Sequence, residues 1–109
     1  MNLGDDIQKN QRFLRELEQV IRLSNNEVIH KRVPPINTER MISFAVVVAN
    51  LRAQYIEVAF NFVDMKQDNE DDNAFKIDEL TLRRRRFEEA RDAFLALQRA
   101  IELGYMSIE

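Results

Sequence analysis

The sequence predicts an all-α protein, an elongated up-down-up three-helix bundle with a long central helix, and three observations carry that prediction. Apolar residues recur in steps of three and four along most of the chain, the spacing of helices with a dry face. Two glycines and two prolines in 109 residues leave room for few turns, which favours long helices over short strands. The segment 38–67 is apolar on more than one side, as the central member of a bundle must be. A chain of this length buries one core, so residues 1–109 are expected to form a single domain.

In that central segment Met41, Phe44, Val48, Leu51, Tyr55, Val58, Phe62 and Met65 form one stripe. Ile42, Ala45, Ala49, Ile56, Ala59 and Val63 form a second beside it, with Phe60 between the two. Only a narrow strip through Ser43, Asn50, Gln54, Glu57, Asn61, Asp64 and Asp68 is polar. Asn37 is the expected N-cap, with Ile36 and Met41 at the two positions of a hydrophobic staple. At 1.5 Å per residue the helix would be roughly 45 Å long.

The first helix is expected over 5–30, with Asp5 and Asp6 at the positive end of its dipole. Ile7, Leu14, Ile21 and Val28 are seven apart, Leu3 and Leu17 lie between them, and Phe13 and Val20 widen the stripe. Asn10 and Ser24 interrupt that seam. Ser24 and Glu27 have capping-box spacing, which could restart a short helix after a break, and the pattern leaves open whether the helix is continuous past Ser24. Val33-Pro34-Pro35 then ends the helix, because a pre-proline residue leaves the α region.

The segment 68–76 is acidic and polar and reads as the exposed turn before a third helix over 79–103. Asp78 would cap that helix. Leu80, Phe87, Phe94 and Ile101 are seven apart with Ala90 and Leu97 between them, and Gly104 sits where a left-handed C′ residue belongs. All three patterns keep a seven-residue repeat, which implies shallow left-handed crossings.

Composition narrows the function classes. A net charge of −3 provides no broad positive field, which disfavours nucleic acid and anionic membranes as partners. The absence of cysteine removes disulfides, thiolate metal sites and thiol catalysis. The N-terminus shows no basic region leading into an apolar run, so a cytoplasmic protein is expected. The longest near-apolar run, 41–49, is about half of what a bilayer span needs, so no membrane span is expected.

Catalytic patterns are sparse. Gly4 and Gly104 are the only glycines, so no phosphate-cradling loop or nucleophile elbow can be built. His30 is the only histidine and reads as a surface residue. Glu89 and Asp92 have a spacing that could hold Mg²⁺, but the central helix offers only Glu57, Asn61 and Asp64 opposite them. A metal-dependent helical nucleotide hydrolase is the enzyme alternative.

Asp68, Glu70, Asp72 and Glu79 occupy positions 1, 3, 5 and 12 of a calcium loop, with Phe75 at the apolar position 8. Asn73 stands where that loop requires glycine. These four are the candidate metal ligands, and a solvated acidic turn is the expectation; no cofactor is expected.

Arg83, Arg84, Arg85 and Arg86 are the most conspicuous local feature. Four consecutive helical residues point all the way round. Glu79 lies four before Arg83, and Glu88 and Glu89 lie four after Arg84 and Arg85, so a salt-bridged turn is expected. Docking of an acidic partner or of nucleic acid is the alternative.

The leading expectation is therefore a non-catalytic helical interaction module, a small adaptor, chaperone or inhibitor. With the seam of the first helix broken, Val47, Phe60 and Phe62 are left poorly covered. They join Arg83, Arg84, Arg85 and Arg86 as candidate partner-binding residues, and a two-fold homodimer through the first two helices would cover them.

Overall fold

The structure, a computed structural model, describes residues 2–64 and 70–109. The chain is all-α: α1 (Leu3–Arg32), α2 (Thr38–Asn61) with a 3-10 turn (Phe62–Asp64), and α3 (Glu70–Glu102), with no strand among the described residues. It divides into two compact units, Met1–Ile36 with Ala100–Glu109, and Asn37–Arg99.

In the first unit α1 begins earlier than the sequence predicts. Asn2 is the N-cap and its side chain accepts from the Gly4 amide at 3.1 Å, with Asp5 and Asp6 in the first turn and His30, Lys31 and Arg32 in the last. Both ends therefore carry the charge that the helix dipole favours. No break occurs at Ser24. Glu27, which would have closed the capping box, instead pairs with Lys31 at 3.1 Å one turn on, and the helix runs straight through. Val33, extended before Pro34, stops it and donates its amide to the Ile29 carbonyl at 2.8 Å.

The same unit holds the end of α3 and the C-terminal tail. Gly104 has φ 76°. Its amide reaches the Ile101 carbonyl at 3.0 Å and the Tyr105 amide reaches the Ala100 carbonyl at 2.8 Å, the two bonds of a Schellman cap. A Cβ at Gly104 would meet nothing within 4 Å, so Gly104→Ala costs only the left-handed backbone, about 1 kcal/mol. Denaturant unfolding checks it. The tail returns to the proline turn: the Ile36 amide donates to the Ser107 carbonyl at 3.1 Å and the Glu109 amide to the Ile36 carbonyl at 3.0 Å. Met106 beside this bridge is buried.

The second unit is an antiparallel pair of helices. Phe44 meets Phe94 with centroids 5.6 Å apart, and Tyr55 meets Phe87 at 6.2 Å, so partner numbers fall on α3 as they rise on α2. Asn37 is the N-cap expected, its Oδ1 accepting from the Arg40 amide at 2.8 Å. Asn37→Ala is expected to cost about 1 kcal/mol, read as a lower urea midpoint at unchanged slope.

The first stripe of α2 faces α3. Val48 is buried, and Met41, Phe44, Leu51, Tyr55, Val58 and Phe62 are half-buried. Met65 and Gln67, expected to continue the helix, lie outside the described residues. The second stripe corrects the expectation of a helix dry on most sides: Ile42, Ala45, Ala49, Ile56, Ala59, Phe60 and Val63 are all exposed.

α3 also corrects the sequence reading, because it starts at Glu70 and not Glu79. Residues 70–76 of what reads as an acidic turn are the first two turns of the helix, while Asp68 lies outside the described residues. Acidic residues there suit the helix N-terminus, and Lys76 pairs with Asp72 at 3.4 Å along the helix.

Candidate functional site

Two features of the second unit and one of the first could carry function. The first is a polar stretch of the α2–α3 seam. One row of less exposed residues on α3 runs Asn73, Lys76, Leu80, Arg83, Phe87, Ala90, Phe94 and Leu97, again in steps of three and four, with Glu79, Thr81, Glu88 and Arg91 half-buried beside it. Its first half therefore puts an amide and two cations where a core residue belongs. Opposite them lie Gln54, Glu57, Val58, Asn61 and Phe62, which with Lys76, Glu79 and Arg83 line a cleft of about 420 Å³.

Arg83 is the pivot of that cleft. Its Nη1 donates to Gln54 Oε1 at 2.8 Å, and its Nη2 lies 3.9 Å from Glu79 Oε1. Its Nε and the Oδ1 of Asn73 are shut off from solvent with no hydrogen-bond partner among the described residues. Such orphaned polar atoms are uncommon in a folded chain and mark a place where packing is not the only constraint. Further along the seam Arg52 and Arg91 both lie over the Phe87 ring, 5.1 and 5.3 Å from its centroid, positions that cation–π attraction favours.

The arginine run is thus split. Arg83 turns into the seam, while Arg84, Arg85 and Arg86 are exposed. Arg83 has the Glu79 partner expected of it; the pairs expected for Arg84 with Glu88 and Arg85 with Glu89 are not formed among the described residues. Sequence inspection missed the seam role of Arg83 because it weighed the run as one block. The available signal was the heptad itself, which extends back from Phe87 to Arg83, Leu80 and Asn73.

Of the calcium-loop candidates, Asp68 lies outside the described residues, and Glu70 opens α3. Asp72 and Glu79 lie within α3, paired to Lys76 and Arg83. A helical backbone over Glu70–Glu102 does not supply the loop such a site wraps around its ion. Asp92 pairs with Arg91 at 3.1 Å. Among the described residues no three His, Asp or Glu side chains gather to hold a metal.

The second feature is the uncovered face of α2. Val47 is 52% and Phe60 70% exposed, whereas Phe62 turns into the cleft. By length and composition α2 is also apolar enough to cross a membrane, and 6% of that stretch is buried. The sequence reading underestimated it by counting only the run before Asn50.

The third feature is α1, none of whose residues is buried. Leu3, Ile7, Phe13, Leu14, Leu17, Val20, Ile21 and Val28 are all exposed. His30, at its end, ties α1 to the tail. Its Nδ1 sits 2.7 Å from the Asn26 carbonyl and its Nε2 3.4 Å from Ser107 Oγ, while Asn26 Nδ2 donates to the Gly104 carbonyl at 3.3 Å. If Nδ1 carries the proton, Nε2 accepts from the serine; the histidine bridges two segments.

No known protein family matches the chain, and neither does any curated protein or solved structure.

Proposed function

We propose that this protein is a non-catalytic helical interaction module that works by presenting the apolar faces of α1 and α2, and that it self-associates as a homodimer. The observation that supports the reading is that each unit leaves a helix-long apolar face open within itself. Contiguous apolar faces of that size are rare on proteins that act alone. The elongated up-down-up bundle is proposed as the assembled arrangement, reached when those faces are covered. A cytoplasmic location belongs to the same proposal.

The test compares wild type with Val47→Asp/Phe60→Asp, both outward-facing changes, in affinity purification from the native host. A protein that co-elutes stoichiometrically with the wild type and is lost with the variant, at unchanged helical circular dichroism, supports the reading. Equal recovery from both, with a one-copy mass for each, overturns it.

A second reading, in which α2 crosses a membrane, is favoured by its length and apolarity. Against it, Arg52 and Glu57 would enter hydrocarbon, at about 2.5–3.5 kcal/mol for a central charge. Flotation with liposomes separates the two, since an interaction module stays with the soluble fraction. Nucleic-acid binding through Arg84, Arg85 and Arg86 has less support, because the chain is net acidic.

A further inference from the structure

We infer that the apolar face of α1 is covered by the α1 of a second copy, in a parallel, in-register two-stranded coiled coil; the inference rests on the interaction-module reading and names the occupant of one of its faces. The helix is unbroken over 30 residues, so its heptad positions hold from end to end. Ile7, Leu14, Ile21 and Val28 fall at a, and Leu3, Asn10, Leu17 and Ser24 at d. β-Branched residues at a with leucine at d favour two parallel strands, and three of these four a residues are β-branched.

The two polar d residues decide the orientation. In a parallel in-register pair Asn10 meets Asn10 and Ser24 meets Ser24 of the second copy, so amide and hydroxyl groups find partners. The antiparallel register that keeps every layer sets Leu14 against Leu17, but it also sets Asn10 against Ile21 and Ser24 against Ile7. Each polar group there loses its water to an apolar neighbour. A polar residue in a seam is known to fix register in this way.

Flanking charge gives the same answer. In the parallel pair the g-to-e contacts are Glu27 with Arg32, Asp6 with Gln11, Phe13 with Glu18 and Val20 with Asn25. One is an opposite-charge pair and none is like-charged. The antiparallel register places Asp6 against Glu27, two carboxylates face to face.

The area is also sufficient. The apolar a and d residues with Phe13 and Val20 are 42–74% exposed, which amounts to on the order of 800 Å² per copy, the contribution of each partner to a standard-size interface.

The test uses the full chain, which has no native cysteine. Leu3→Cys places a thiol at the first d position. In the parallel pair that thiol faces its own copy and should form a disulfide dimer under mild oxidation, whereas Gln19→Cys, on the outer face, should not. In the antiparallel register the two thiols introduced by Leu3→Cys would be roughly 38 Å apart, and Leu3→Cys mixed with Val28→Cys would cross-link instead. Light scattering on the unmodified chain should give twice 12.9 kDa, and Leu14→Glu should return it to one copy.

A heterodisulfide between the Leu3→Cys and Val28→Cys chains at dimer mass overturns the parallel arrangement and leaves the interaction module standing. A one-copy mass across micromolar concentrations overturns the second copy as occupant, and the capture comparison above then decides the module by itself. A dimer that survives Leu14→Glu places the contact away from α1 and also overturns the inference.

Discussion

Phe87→Ala is expected to cost about 3–5 kcal/mol, the largest loss of any single truncation in this chain. Phe87 is 8% exposed and is one of three buried apolar residues among those described, with Val48 and Met106. It stacks against Tyr55 on α2 and receives the guanidinium groups of Arg52 and Arg91 over its ring. Truncation therefore removes buried area, an aromatic pair and two cation–π contacts at once. Domains of this size hold only about 5–15 kcal/mol in total, so the second unit should lose its helical signal at a much lower urea concentration than the unmodified chain. Urea unfolding followed by circular dichroism checks it. A loss under about 1 kcal/mol would mean that the α2–α3 seam is not what holds this unit together. Phe87→Leu, which keeps most of the volume, should cost well under half as much.

The stripe of α2 that packs was legible because its spacing is unbroken from Met41 to Phe62, and every member is buried or half-buried. What could not be read was which of the two α2 stripes has a neighbour. Periodicity reports that a face is apolar; it carries no information on what covers it, and Ile56 and Phe60 look as core-like in sequence as Leu51 and Tyr55. The start of α3 was misread for a related reason. Asp71 and Asp72 are typical of exposed turns, yet the same residues are stabilised in the first turn of a helix, and only the Lys76 pairing one turn on distinguishes the cases. The tail bridge of Ile36 with Ser107 and Glu109 is made by backbone groups, which leave no mark in side-chain pattern. Asn37 and Gly104 were readable because caps depend on side-chain identity and on the freedom of glycine.

Arg83→Met is expected to stabilise the second unit by about 1–2 kcal/mol. Arg83 occupies a seam position between Phe87 and Lys76 and faces Val58 and Phe62 across the cleft, so an unbranched apolar side chain of similar length fills its place. Its Nε has no hydrogen-bond partner among the described residues, and removing that donor removes a desolvation penalty. The losses are small. Glu79 is 3.9 Å away, and both side chains of that pair are at least 30% exposed, a geometry in which an ion pair contributes under about 1 kcal/mol. Gln54 is exposed, so its Oε1 can turn to water when the guanidinium is gone. That partial exposure is why the gain is placed at the low end of what replacing a buried charge can yield. Thermal unfolding of the two chains side by side gives the sign directly: a raised midpoint for Arg83→Met means the arginine is kept at the expense of stability, as expected of a residue retained for binding. A lowered midpoint would make Arg83 a structural tie between α2 and α3 and would remove the cleft from consideration as a site.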